Sequence, residues 1–160
     1  MYLTKIFYLG CSLGGLYIMD IFFASKTKHR WYCLHAIANF IITITSLSGV
    51  IYSLKDPMHA MDSLIHFESS DIFAPASIIP ICMINSIHIY HVMMFKLPRI
   101  DVFHHILFGI FIGIPGIYYQ WGALRNFLSF GICGFPGMLD YTNLLLVATP
   151  RTKDMRLRPH

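Results

Sequence analysis

Charge is scarce in this chain: eight Asp and Glu and twelve Lys and Arg stand among 160 residues that are 56% hydrophobic. A water-soluble domain of this size needs more polar surface to cover its core, which excludes an ordinary soluble globule. CxxC spacing is absent, and Cys11, Cys33, Cys82 and Cys133 fall one each in separate apolar runs. Zinc ribbons and disulfide frameworks are thereby excluded, and the cysteines read as small buried hydrophobes. The chain has no Gly-rich phosphate loop, no serine elbow and no ordered nucleophile–base triad. Internal repeats and low-complexity segments are missing too. A net charge of +4 is modest, and nucleic acid is not an expected partner. Neither a cleavable signal peptide nor an Arg-rich transit peptide is expected, because the first apolar run is long and a basic loop follows it.

What the sequence does have is apolar length. Runs over about 3–24, 31–54, 72–95, 102–119 and 124–148 each reach membrane-spanning size. The expected fold class is all-α, a polytopic membrane bundle of about five helices over 1–150 with a basic tail at 151–160. Gly10, Gly14 and Gly15 predict a close helix contact on the first span, and Gly109, Gly113 and Gly116 predict another on the fourth. Trp31 and Tyr32 read as interfacial aromatics at the start of the second span. Pro75 lies near the start of the third span, and Pro80 predicts a kink in it. The loop at 55–71 is acidic through Asp56, Asp62, Glu68 and Asp71, while Met58, Met61, Leu64, Ile65 and Phe67 suit a membrane surface.

Five spans put the loops on alternating sides. One side receives nine basic residues: Lys26, Lys28, Arg30, Lys96, Arg99, Arg151, Lys153, Arg156 and Arg158. The other receives three: Lys5, Lys55 and Arg125. The positive-inside rule then places the C-terminus on the cytosolic side, or the matrix side of a mitochondrial inner membrane.

The polar residues gather on that basic side. At about 1.5 Å rise per residue, Asp20, His35, Asn39, His88, His91, His104, His105, Asp140 and Asn143 all lie within about 12 Å of it, with Asn85 deeper. Asn85/His88, His88/His91, His35/Asn39 and Asp140/Asn143 are three or four residues apart, so each pair shares a helix face. Ionisable groups in a membrane face protein or a wet cavity, which predicts a polar pocket of His35, Asn39, His88, His91, His104, His105 and Asp140. Separate interhelical hydrogen bonds and interfacial histidines are the plainer alternative. A membrane di-iron centre would require histidine boxes beyond His88-x-x-His91 and His104-His105. A bis-histidine haem would require two facing rings, such as His35 and His88. No metal or cofactor is expected; bound phospholipid is.

Arg30-Trp31, Asp56-Pro57, a polar helix ending near Tyr90, and Asp101-x-x-His104-His105 follow in an order that resembles the TLC-domain family, over about 30–148. That family includes ceramide synthases and translocating-chain-associating membrane proteins. The resemblance implies a lipid-handling helical bundle and, if the chain is an enzyme, acyl transfer from acyl-CoA by His104, His105 and Asp140. The family's next helix carries two acids three apart. Asp140 matches the second, and Gly137 stands at the first. The incomplete acid pair favours a non-catalytic, lipid-binding accessory subunit that packs with other transmembrane subunits of a larger complex. The mitochondrial inner membrane, in an energy-converting complex, and the endoplasmic reticulum are the two expected settings. An acyltransferase is the alternative.

The basic count carries a direct test. In sealed vesicles, protease should reach the 55–71 loop and the 151–160 tail from opposite faces; cleavage of both from one face would refute the topology.

Overall fold

The computed structural model describes residues 2–148, so the expected basic tail at 151–160 lies outside the described residues. The described residues are helical and turn-rich, with a single isolated bridge between Ser69 and Ser77. Helix α1 spans Tyr2–Phe22 and is followed by a short 3₁₀ turn, Ala24–Lys26. Helix α2 is Arg30–Lys55 and α3 is Ile79–Met94. Helix α4 is the continuous helical stretch Arg99–Tyr118, and α5 is Leu124–Ala148. All except α3 are long and apolar enough to cross a membrane.

Helix α3 corrects the sequence reading. The apolar run at 72–95 becomes helical only from Ile79, giving 16 residues, or about 24 Å at the α-helical rise, short of a ~30 Å hydrocarbon core. Its lead-in folds back instead: the Ser69 N–H donates to the Ala76 carbonyl at 3.1 Å, and the Ile78 N–H donates to the Ser69 carbonyl at 2.9 Å. Pro80 sits in the first turn of α3 and so does not kink it. A first-turn N–H has no intrahelical acceptor to lose, and a proline ring is tolerated there.

Polarity is inverted relative to a soluble protein. Leu16, Leu34, Ala38, Ile42, Met83, Ile84 and Ile87 form the core, yet Asp20, Asn39, Ser46, Asn85, Ser86 and His91 are buried beside them. Large apolar side chains such as Phe7, Ile18, Phe40, Ile110, Phe111 and Leu146 cover the outside. Two interior hydroxyls of α2 are satisfied within their own helix, Thr45 Oγ1 donating to the Ile41 carbonyl at 2.8 Å and Ser46 Oγ to the Ile42 carbonyl at 2.6 Å, while Ser86 Oγ of α3 donates across to the Leu9 carbonyl of α1 at 3.2 Å. Such back-bonding disposes of a polar group where water is missing.

The helices alternate in direction. One end of the bundle joins Lys5, the 56–78 loop, Ile117 and Arg125. The other joins Asp20, Arg30 and Tyr90, with His29 Nε2 at 3.0 Å from the Ala148 carbonyl. The long loop closes the first end. Gly122 adopts φ +52 there, and a Cβ on it would lie 2.7 Å from the Ala60 carbonyl; only glycine fits that approach and that left-handed backbone together. Met58, Leu64 and Phe67 stay outward on the loop, as expected for a membrane-facing surface.

The two glycine stripes behave differently. Gly109, Gly113 and Gly116 face His88, Asn85 and Ile81 of α3, so α4 seats closely along one face of that helix. Around Gly10, Gly14 and Gly15 an added Cβ would meet nothing within 4 Å, so the contact expected on α1 is absent among the described residues. Helix α4 also contains a stretch of wider, π-helical turns, Ile106–Gly113, and α5 contains another, Phe130–Gly134.

Gly113→Leu places side-chain atoms on the Asn85 amide and should lower stability by about 1–3 kcal/mol, the usual range for overpacking. Gly10→Leu enters open space and should leave the isolated chain's thermal midpoint unchanged. Equal midpoints for the two variants in the same detergent would show that the α3–α4 seam is not close-packed.

Candidate functional site

Helices α2, α3 and α4 bring five histidines together. Helix α2 contributes His35, α3 contributes His88 and His91, and α4 contributes His104 and His105. Ring centroids lie 4.0 Å apart for His35 and His91, 5.2 Å for His91 and His105, 5.1 Å for His88 and His105, and 5.6 Å for His88 and His104. His35, His88, His91 and His105 are buried, while His104 is exposed at the edge.

Two aromatic residues that the sequence pattern did not assign to the site complete it. Trp31 stacks on His91 at 3.8 Å with an interplanar angle of 9°, and Tyr141 stacks on His35 at 4.1 Å. Trp31, His91, His35 and Tyr141 thus form a continuous pile of four rings across α2, α3 and α5. The signal was present in the spacing: Trp31 precedes His35 by one helical turn, and Tyr141 follows Gly137 by one.

Backbone contacts set two of the imidazoles. His35 Nδ1 lies 3.1 Å from the Trp31 carbonyl, and His88 Nδ1 lies 2.7 Å from the Ile84 carbonyl. A carbonyl only accepts, so each Nδ1 carries the proton and each neutral ring presents its Nε2 lone pair. His88 Nε2 and both ring nitrogens of His91 and of His105 are buried without a hydrogen-bond partner among the described residues. The unprotonated nitrogen of each ring can accept from a hydroxyl or amine or ligate a metal, and in neutral His91 and His105 the other nitrogen is an N–H that needs an acceptor. Among the described residues, no three His, Cys, Asp or Glu side chains converge as a metal site.

A cavity of about 120 Å³ adjoins the rings, lined by His35, Asn39, His88, His104 and Tyr141 and by Ile42, Ile84, Ile132 and Cys133. Gly137 belongs to its wall: a Cβ there would lie 2.5 Å from Asn39 Nδ2. Any side chain at this position therefore requires the buried Asn39 amide to move.

Asp140 is not gathered into the site. It is exposed, and so is Asn143, which lines an outer groove with Phe40 and Leu139. The two do share a helix face, but it is turned outward; Gly134, Gly137 and Tyr141 supply the inward one. Asp20 is also outside the histidine cluster. It receives two hydrogen bonds from Arg30, and the Tyr90 hydroxyl donates to its Oδ2 at 2.6 Å. Asn85, nearer mid-bundle, donates to the Ile81 carbonyl at 2.8 Å and to the Gly113 carbonyl at 3.3 Å.

A second cavity of about 90 Å³ lies between α3, α4 and α5 and shares Ile84, Ile132 and Cys133 with the first. Phe108, Ile112 and Gly116 of α4 form one wall, and Leu128 and Ile132 of α5 form the other. Ile112 and Ile132 are half exposed, at 49% and 55%, so the space opens sideways between the two helices.

Tyr90→Phe removes the hydroxyl that helps to hold the Asp20 carboxylate. A hydrogen bond to a charged group contributes about 1.5–3 kcal/mol, so the thermal midpoint should fall measurably. An unchanged midpoint would show that Arg30 alone satisfies Asp20.

No protein-family model, no curated protein and no solved structure matches this chain.

Proposed function

We propose that this chain is a non-catalytic, multi-pass membrane subunit whose TLC-like helical bundle binds lipid and packs with other transmembrane subunits of a larger assembly. One observation carries the reading: an apolar space between α3, α4 and α5 opens sideways between exposed isoleucines and shares a wall with the histidine cavity. An acyl chain entering from a bilayer meets hydrocarbon walls along the cleft, with Ile84, Ile132 and Cys133 standing between it and the histidine cavity. The apolar exterior supports placement in a bilayer. The basic count supports a C-terminus on the cytosolic or matrix side, in the endoplasmic reticulum or the mitochondrial inner membrane.

The acyltransferase reading has its own support in His104 and His105, which stand beside His88 in the cluster. Neither of two acids near the bundle's basic end orients those rings: Asp140 is exposed, and Asp20 is engaged by Arg30 and Tyr90. A general base gains from a partner that holds its ring and stabilises the charge it acquires.

Replacing His104 and His105 together by Gln separates the two. Gln keeps hydrogen-bonding capacity but not proton transfer. The double variant should assemble with its partners and retain co-purifying lipid. General acid–base catalysis contributes ~100–10,000-fold, so an acyltransferase would lose activity on that scale. A robust, histidine-dependent acyl-transfer rate from the isolated chain would overturn the subunit reading.

A further inference from the structure

At the end of the bundle opposite the histidines, three charged side chains are packed under the 56–78 loop. Glu68 Oε2 accepts from Arg125 Nη1 at 2.6 Å and lies 3.3 Å from Lys5 Nζ. Lys5 and Arg125 are 3% and 4% exposed. Lys5 also donates to the Ile117 carbonyl at 2.7 Å, and Arg125 Nη2 donates to the carbonyls of Ala76 and Ser77 at 3.3 and 3.2 Å. Two buried cations share one carboxylate, which leaves one positive charge without a counter-ion among the described residues. An unpaired buried charge is among the most costly features a fold can carry.

Arg125 has a further unmet demand. Its Nε is buried without an acceptor among the described residues, and the side chain lines the apolar space between α3, α4 and α5, next to Trp121 and Ser129. The other walls are Ile81, Phe108, Ile112 and Leu128. A ligand that satisfies both features needs an anionic acceptor at one end and hydrocarbon along the rest. Water offers the Nε–H an acceptor but leaves the positive charge and makes nothing of the apolar walls.

We infer that this cleft binds an anionic single-chain amphiphile, its carboxylate or phosphate meeting Arg125 and its acyl chain lying between α4 and α5 towards Ile132 and Cys133. The inference rests on the lipid-binding reading above and adds the charge and orientation of the lipid. The headgroup sits at the Arg125 end and the tail points towards the histidines. Glu68 then serves as a built-in partial counter-ion that keeps the empty cleft tolerable and weakens the ligand's hold.

The test uses the full chain in zwitterionic nanodiscs with three probes: palmitate, methyl palmitate and a palmitoyl lysophosphatidate. Palmitate or the lysophosphatidate should bind about 10–100-fold more tightly than the uncharged ester, the scale of a charge-assisted hydrogen bond. The tighter of the two identifies the head as carboxylate or phosphate. Glu68→Gln should strengthen binding of the anion, whereas a merely structural role for the triad predicts no gain. Ile112→Trp fills the cleft without touching the charged groups and should abolish binding of all three probes. Equal affinity for the acid and its ester, with Ile112→Trp still blocking both, would overturn the charge assignment while leaving lipid binding in place. Binding of all three probes undiminished by Ile112→Trp would overturn this cleft as the site. No binding of any probe, together with no co-purifying lipid, would overturn both readings.

Discussion

The Asp20 carboxylate constrains the rest of this bundle. It is 1% exposed in a protein whose exterior is apolar, and burying a charge of that kind requires partners at fixed positions. Arg30 opens α2 and Tyr90 sits near the end of α3, so satisfying Asp20 draws the end of α1, the start of α2 and the end of α3 to one point. The consequence passes along the chain. Arg30 lies 4.8 Å over the Phe95 ring, and Phe95 meets Trp31 edge-on at 5.3 Å. With Trp31 so placed, its indole face is available to His91, and the four-ring pile builds outward from that contact.

The opposite end solves the same problem differently. There a loop, rather than a helix end, supplies the acceptors: carbonyls of Pro75, Ala76 and Ser77 receive Asn126 and Arg125, and the Ala74 carbonyl receives Ser48. This explains the shortness of α3. Residues that a helix would have consumed remain open, and their carbonyls point at α2 and α5. Two polar ends joined by a middle of Ile, Cys and Gly leave the flank between α4 and α5 as the weakly filled region.

The sequence was informative wherever spacing alone decides the outcome. Three- and four-residue intervals correctly paired His35 with Asn39 and Asn85 with His88, and they identified Gly109, Gly113 and Gly116 as one packing face. Spacing does not fix which way a face turns. Asp140 and Asn143 share a side of α5 that points outward, and the Gly10 stripe on α1 meets no neighbour, because absolute rotation depends on the partner helix. Hydropathy likewise could not see that 72–78 is apolar but non-helical. Glu68 was hidden for a related reason. In an acidic loop it reads as a solvated charge, and only the fold of that loop carries it under Lys5 and Arg125.

The wide turns in α4 have a consequence for how this segment can vary. An eight-residue stretch of π-helical turns begins directly after His105 and ends at Gly113, the glycine that seats α4 against Asn85. A wide turn holds one residue more than the α-helical path requires, so it works as a register adjuster between the two halves of the helix. Deleting one residue here would let the stretch revert to regular α-helical turns with its two flanks still in phase. Each α-helical residue advances the side chain by about 100°, so the same deletion between Arg99 and His105 has no such slack to absorb it. The length of α4 is therefore more tolerant of change within the wide turns than on either side of them.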